Sequence, residues 1–286
     1  VPRMNYRHAY HAGNHAVVLK HLVLVRVLTY LLQKDKPLAV LDAHAGIGRY
    51  DLKGAEAYKT NEWKEGIGRF LAEPLPEDAR TLAALYLNII RDLNPDGALR
   101  NYPGSPEIIA RLLRRSDRMI FNELHPDDAD TLAARYATDK RVRITRQDAG
   151  VAVKAAMPFT ERRGLVLIDP AFEEAGELEK MARMLGHIIG RMQNATVLAW
   201  YPLKAPGVET SLLTAASALP CHGTLAIELR VREAFDQGGL AGSGVIVLNP
   251  SHTLKAEMEI LLPVLARRLG IGTWGRGDVR ELTPPR

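Results

Sequence analysis

The chain has 286 residues, of which 47% are hydrophobic and 25% charged, and this composition excludes a wholly disordered or fibrous protein. Its 38 lysine and arginine residues against 33 acidic ones give a net charge of +5, which permits an acidic partner such as nucleic acid without requiring one. The single cysteine, Cys221, excludes an internal disulfide framework and a cysteine-rich zinc module.

No apolar stretch is long enough to cross a bilayer, because residues 16–32, the longest candidate, contain Lys20 and Arg26. This segment therefore predicts a buried helix. The N-terminal residues lack the charged-then-apolar plan of a signal peptide. We therefore expect a cytoplasmic protein that has no membrane partner.

Short apolar runs alternate with longer helical patterns from residue 38 onward, which predicts an α/β sheet with helical crossovers. The runs are almost continuously apolar, as expected for strands that are covered on both faces. The predicted strands are residues 38–42, 118–123, 142–146, 164–169, 195–201, 224–231 and 244–249. Helical patterns lie between the first five strands, at residues 106–115, 126–138, 151–157 and 174–192.

One segment between the first two strands is much longer than an ordinary crossover. Residues 54–100 contain two helical patterns, near residues 62–71 and 77–93, which are separated by prolines. We interpret this segment as a small helical insert in a domain formed by residues 1–53 and 101–286.

The end of the predicted sheet differs from its beginning. Residues 232–243 join the last two strands and contain three glycines, which predicts an antiparallel pair. Five parallel strands followed by such a pair match the Rossmann-like sheet of class I methyltransferases, with seven mostly parallel strands and the last one antiparallel. After Gly270 the sequence predicts an irregular tail.

Four predicted strands carry a carboxylate at or just after their end. Asp42 ends the first strand and precedes a loop of small residues with Gly46, where backbone can approach a ligand closely. Glu123 is placed to accept hydrogen bonds from ribose hydroxyls, and Asp148 from an adenine amino group. Each carboxylate alone is consistent with a helix cap or a solvated loop. The four together, of which Asp169 is the fourth, predict a site for a cofactor that contains a nucleoside.

The tetrapeptide from Asp169 to Phe172 indicates a chemistry for this edge. The exocyclic amine of adenine is a poor nucleophile, so its methylation needs groups that accept hydrogen bonds from the amino protons. The Asp169 carboxylate and the Pro170 carbonyl meet that need, and the Phe172 ring can stack on the base. The segment resembles the [DN]-P-P-[YF] motif of amino-methyltransferases, with Ala171 in place of the second proline. A plain proline turn at the strand end is the alternative.

The N-terminal segment is rich in histidine and aromatic residues. His8, His11 and His15 have nearly helical spacing and leave metal binding open as an alternative, although no acidic or cysteine partner follows at that spacing. We instead expect the segment to form a polar and aromatic lip over the cofactor and a flipped base, and we expect no metal. Histidines that only fix the N-terminus in place are the third interpretation.

Several blocks together resemble the RlmJ family of bacterial 23S rRNA adenine-N6 methyltransferases, which has also been labelled a family for catabolism of external DNA. The blocks are YRHAYHAGNHAVVLKH, LDAHAGIGRY, YPGSP, NELHP, LIDP followed by an aromatic residue, WYP, SGVIVLNP and LLPVLARRL. They extend over nearly the whole chain.

The resemblance implies an S-adenosylmethionine-dependent enzyme that methylates a specific adenine of 23S rRNA after flipping the base. It implies Asp169 as the catalytic acceptor, with Pro170 and Phe172 beside it, and Tyr6 as a residue that touches the substrate. The cofactor contacts that we expect, including Gly46 from the loop described above, are His21, His44, Gly46, Ser105, Glu123, Asp148 and Ala149. Ala149 stands where the family has glycine, at the position of a contact to the cofactor adenine.

Three rival functions stay open. The enzyme could act on DNA adenine, or the chain could be a non-catalytic protein for use of external DNA. A nicotinamide-dependent oxidoreductase is disfavoured because the loop after the first strand lacks the full GxGxxG spacing.

We expect a monomer that contacts RNA phosphates through basic side chains. The candidates are Arg7, Arg49, Lys53, Lys59 and Lys64.

Overall fold

The computed structural model describes residues 8–172, 176–205, 207–233 and 240–283. The strands in this part are β1 Ala39–Asp42, β2 Arg49–Asp51, β3 Asn101–Pro103, β4 Arg118–Asn122, β5 Val142–Thr145, β6 Gly164–Ile168, β7 Thr196–Leu203, β8 Thr224–Arg230, β9 Gly242–Leu248 and β10 Arg276–Thr283. The α-helices are α1 His15–Leu31, α2 Ala55–Thr60, α3 Arg69–Leu71, α4 Glu77–Asp92, α5 Ser105–Leu112, α6 Pro126–Arg135, α7 Ala149–Ala156, α8 Glu177–Arg191, α9 Thr210–Ser217 and α10 Leu254–Leu269.

Eight strands form one mixed sheet, in the order β10-β8-β9-β7-β6-β1-β4-β5. The strands from β5 to β7 along this order pair in parallel, whereas β9 lies antiparallel between β7 and β8. The predicted Rossmann-like, mostly parallel sheet with an antiparallel strand near its end is therefore confirmed. All seven predicted strands are present within one or two residues of their predicted ends.

The eighth strand, β10, corrects the prediction of an irregular tail after Gly270 and raises the strand number from seven to eight. It pairs antiparallel with β8 at the sheet edge. Most of its residues are exposed, so it lacks the buried apolar run on which the other strand predictions rested. Charged residues are common on edge strands because they discourage further pairing, and here they hide the strand from a search for apolar periodicity.

The two faces of the sheet are covered by different helices. Successive strand residues point to opposite faces, so Val40 of β1 packs in a core with α1, α4, α5 and α10, and Leu41 packs in a second core with α7, α8 and α9. Helix α1 is buried along most of its length, as its nearly continuous apolar sequence predicts. None of the described helices is long and apolar enough to span a membrane.

The segment between β1 and β4 leaves the main sheet through a short antiparallel ribbon of β2 and β3. Beyond this ribbon the chain forms α2, a π-helical turn at Lys64–Gly68, α3 and α4. Phe70 and Tyr86 of this part pack in the same core as α1 and α10. The helical insert thus shares the main hydrophobic core, and its boundaries as a separate subdomain stay a prediction.

Candidate functional site

Two adjoining cavities lie beyond the carboxyl ends of the parallel strands. The larger has a volume of about 410 Å³ and is lined by Glu123 and Asp148, among others. The smaller has a volume of about 230 Å³ and lies against α1 and the loop after β1. The wall shared by both cavities contains His8, His44, Asp169 and Ala171. Asp169, the predicted catalytic residue, therefore lies where the two cavities meet.

The loop after β1 is held in place by Asp42, which is fully buried at the end of that strand. Its carboxylate accepts hydrogen bonds from Ser105 Oγ at 2.5 Å and from the backbone N–H of His44 at 3.2 Å. Burial raises the pKa of Asp42 from its usual 3.8 to about 6. Asp42 therefore orients the loop and carries a proton more readily than an exposed aspartate.

Gly46 is the point at which this loop comes closest to its neighbours. Its backbone φ is +64°, and a β-carbon there would lie 2.2 Å from the Tyr50 hydroxyl and 3.2 Å from the His8 ring. Only glycine meets both conditions. Its N–H donates a 2.8 Å hydrogen bond to Glu123 Oε2.

Glu123 is nearly buried and bridges the loop to the next strand end. Besides Gly46, its carboxylate accepts a hydrogen bond from the His125 N–H at 2.8 Å. Burial raises the pKa of Glu123. Each carboxylate oxygen has two lone pairs, so both retain capacity for a ligand hydroxyl.

Asp148 is the N-cap of α7, where its Oδ1 accepts from the N–H groups of Gly150 and Val151 at 2.9 and 3.2 Å. Within the protein, Asp148 therefore acts as a helix cap, which is one of the alternatives that the sequence left open. Asp148 and Ala149 also line the larger cavity, so the structure places both predicted cofactor residues beside the same space.

Asp169 is 8% exposed, and its carboxylate forms an ion pair with Lys20 Nζ from α1. Burial acts to raise the pKa of Asp169, but the charge and hydrogen bond of Lys20, together with His8 and His44, outweigh it and hold the pKa below its usual value. The Asp169 N–H donates to His44 Nδ1 at 3.1 Å. Burial lowers the pKa of His44 to about 4, so its ring is neutral and Nδ1 is free to accept this bond.

The turn after Asp169 places Phe172 in the smaller cavity. Its backbone φ is +53°, in the left-handed region that residues other than glycine seldom occupy. The Phe172 ring meets Trp200 of β7 edge to face, with ring centroids 5.6 Å apart, and both rings line the cavity. A residue keeps this unfavourable backbone conformation only where the surrounding structure enforces it. Such residues are frequent at functional sites.

His21 and Ser105 line the smaller cavity, while Pro170 lines the larger one. Of the predicted site residues between positions 21 and 172, all but Gly46 line one or both of these cavities. Gly46 lies in the loop beside them. Tyr6 and Arg7 lie outside the described residues.

Other basic candidates have partners within the chain. Arg49 forms a 3.0 Å ion pair with Glu107, and Lys59 and Lys64 lie over the rings of Tyr10 and Trp63.

The three N-terminal histidines have separate surroundings. His8 lines both cavities, whereas His11 Nδ1 forms a 2.9 Å hydrogen bond with Glu62 of the insert. Burial lowers the pKa of His15 to about 4. Within residues 8–172 and the later described ranges, no group of three or more histidine, cysteine or acidic residues could hold a metal ion.

Sequence reasoning missed Lys20 and Trp200 as members of the site. Lys20 interrupts an otherwise apolar run, and a buried lysine requires an anionic partner, so that interruption was the available signal. Trp200 sits inside a predicted strand, where an aromatic residue is ordinary. Only the fold shows that both side chains reach the cavity next to Asp169.

Comparisons with known proteins agree over nearly the full length of the chain. A family model described as "Ribosomal RNA large subunit methyltransferase D, RlmJ" matches residues 35–280. Two proteins named "Ribosomal RNA large subunit methyltransferase J" are similar to it. The one from Haemophilus influenzae is 41% identical over 98% of this chain and 99% of its own length. The one from Escherichia coli K12 is 36% identical with the same coverage.

A solved structure of a Legionella pneumophila protein has the same fold. It is 31% identical, the TM-score is 0.86, and the match covers 95% of this chain and 98% of that one.

Proposed function

The chain belongs to the RlmJ family of ribosomal RNA large subunit methyltransferases, and from this premise we propose that it methylates the N6 amino group of a specific adenine in 23S rRNA. The methyl donor in this proposal is S-adenosylmethionine, which supplies the methyl group as an activated sulfonium when bound. The observation that carries the proposal is the position of Asp169, whose side chain lies at the wall between two cavities.

The residues present fit this cofactor. Glu123 and Asp148, which line the larger cavity, would offer carboxylate oxygens to the ribose and adenine. Gly46, where no β-carbon fits, lets Tyr50 and His8 pack closely against the loop that carries His44. Ser105 and His21 in the smaller cavity provide polar groups for the amino-acid part. The donors and acceptors thus match a ligand with a nucleoside at one end and a charged amino acid at the other.

The protein groups around Asp169 suit an adenine amine as methyl acceptor. The ionised Asp169 carboxylate and the Pro170 carbonyl accept hydrogen bonds from the amino protons, so positive charge can develop on nitrogen. Lys20 keeps Asp169 ionised inside the protein. Phe172, fixed by its left-handed backbone and by Trp200, offers a ring on which an extruded base can stack. Tyr6 remains a proposed substrate contact.

Substrate binding outside the pocket would rest on charge. Arg49, Lys53, Lys59 and Lys64 are the basic side chains that we propose for RNA phosphates, together with Arg7. Lys59 and Lys64 lie next to aromatic rings of Tyr10 and Trp63, a combination suited to single-stranded RNA.

Asp169→Ala tests the proposal. We expect methylation of a 23S rRNA transcript to fall by about 100-fold or more, because the acceptor for the amino protons is lost. Calorimetry should show that the variant still binds S-adenosylhomocysteine, since the proposed cofactor residues are unchanged. The control is Asp278→Ala on the exposed strand β10, which should retain full activity. An active Asp169→Ala variant would remove Asp169 from the mechanism.

A further inference from the structure

A chain of hydrogen bonds runs behind the smaller cavity and ends at His21. The Tyr86 and Tyr102 hydroxyls are 2.7 Å apart, and the Tyr102 hydroxyl lies 3.1 Å from His21 Nδ1. Tyr86 and Tyr102 are fully buried, and His21 is 1% exposed. Of the three, His21 alone lines the cavity, so the tyrosines form a layer behind it. Tyr86 belongs to α4 of the insert and Tyr102 to the ribbon strand β3.

The direction of these hydrogen bonds follows from counting donors. In the described part of the chain, the Tyr86 hydroxyl has Tyr102 as its hydrogen-bond partner and no other. A buried hydroxyl proton without an acceptor is unfavourable, so Tyr86 donates to Tyr102. Tyr102 has a single hydroxyl proton, which it then donates to His21 Nδ1. The His21 ring must therefore carry its proton on Nε2.

The surroundings of His21 keep it in this one form. Burial, with Lys20 nearby, lowers the pKa of His21 well below its usual value, so the ring is neutral and has one proton to place. No described residue makes a hydrogen bond to Nε2. The Nε2–H group thus remains available to a ligand of the cavity, and it can only donate.

We propose that Tyr102 is a positioning residue that fixes His21 as an Nε2–H donor to the carboxylate of the cofactor's amino-acid part. An N–H donor suits a carboxylate and repels an ammonium group. The inference rests on the proposed function, because it concerns the same cofactor. It adds a specificity for the amino-acid end of the ligand, and it makes the ribbon and insert a support for the cofactor site.

Tyr102→Phe tests the proposal through two ligands. S-Adenosylhomocysteine has the amino-acid part, whereas 5′-methylthioadenosine lacks it. We expect the variant to bind S-adenosylhomocysteine about five-fold more weakly and 5′-methylthioadenosine with unchanged affinity, as measured by calorimetry. The control is Tyr136→Phe, which removes another buried tyrosine hydroxyl and should change neither affinity. Equal weakening of both ligands, or weakening of neither, would overturn the proposal.

The tautomer of His21 gives a readout that needs no cofactor. Nitrogen-15 NMR of the histidine rings should show an Nε2–H tautomer for His21 in the wild type and a mixture of tautomers in Tyr102→Phe. An Nδ1–H tautomer in the wild type would overturn the proposal even if the affinities changed. Failure of the wild type to bind S-adenosylhomocysteine would instead count against the proposed function.

Discussion

Lys20 and Asp169 form the buried ion pair on which the proposed chemistry depends. Asp169 must stay ionised to accept hydrogen bonds from an amine, yet it lies where burial alone would favour its protonated form. Lys20 supplies the compensating charge from a helix 149 positions away in the sequence. Removing either partner leaves the other charge uncompensated in the protein interior.

Lys20→Met should shift the pH dependence of methylation. The variant lacks the charge that holds the Asp169 pKa below its usual value, so the pKa rises and the carboxylate protonates at higher pH. We expect activity at pH 7 to fall at least about ten-fold, with the acidic limb of kcat/KM moved to higher pH. The control, Lys140→Met, changes an exposed lysine. A Lys20→Met profile that overlays the wild type would contradict this role.

Asp42 should make the free energy of unfolding depend on pH. Its pKa is raised from 3.8 to about 6 in the native state, so between these pH values the native chain binds more protons than the unfolded one. The contribution of Asp42 to the free energy of unfolding therefore falls as pH rises through this window, by up to about 3 kcal/mol. Asp42→Asn cannot ionise and should lack this fall in urea unfolding from about pH 4 to 7. Parallel stability curves for the two proteins would refute the shifted pKa.

At the scale of elements, one turn from Asp169 to Phe172 carries both the proposed acceptor and the stacking ring. The left-handed backbone at Phe172 is unfavourable for a residue with a β-carbon, and the contact with Trp200 helps to enforce it. Ala171 occupies the place of the second proline in the amino-methyltransferase motif, so no proline ring fixes φ at this position.

A pair of variants separates strain from packing at this turn. Phe172→Gly and Phe172→Ala both remove the ring, but only glycine adopts the positive φ without strain. We expect the glycine variant to be more stable to urea than the alanine variant by roughly 1 kcal/mol, while both lose methylation. An alanine variant as stable as the glycine variant would show that the turn relaxes when the ring is removed.

At the scale of the whole molecule, the sequence predicts the fold wherever burial leaves a continuous apolar run. The seven strands of the central sheet were found this way, and the β8–β9 pair was found from its glycine-containing connection. Strand β10 was missed because an edge strand with exposed charges carries no such run. The expected monomer and cytoplasmic location stay predictions.

The candidate site was predictable to the extent that it lies at strand ends. Asp42, Glu123, Asp148 and Asp169 follow strands, and the topology of a parallel sheet brings such residues to one edge. His21 and Ser105 came only from the family resemblance, and Lys20 was missed. These three reach the cavities from α1 and the start of α5, and no periodicity in the sequence specifies how those helices pack on the sheet.

Methyl transfer to adenine N6 in ribosomal RNA can be measured directly. The most direct measurement incubates the purified chain with S-adenosylmethionine and either a 23S rRNA transcript or DNA of the same sequence, followed by mass spectrometry of the digested nucleosides. We expect N6-methyladenosine at one position of the RNA and little methylation of the DNA. Equal or greater methylation of the DNA, or an RNA without N6-methyladenosine, would contradict the proposed function.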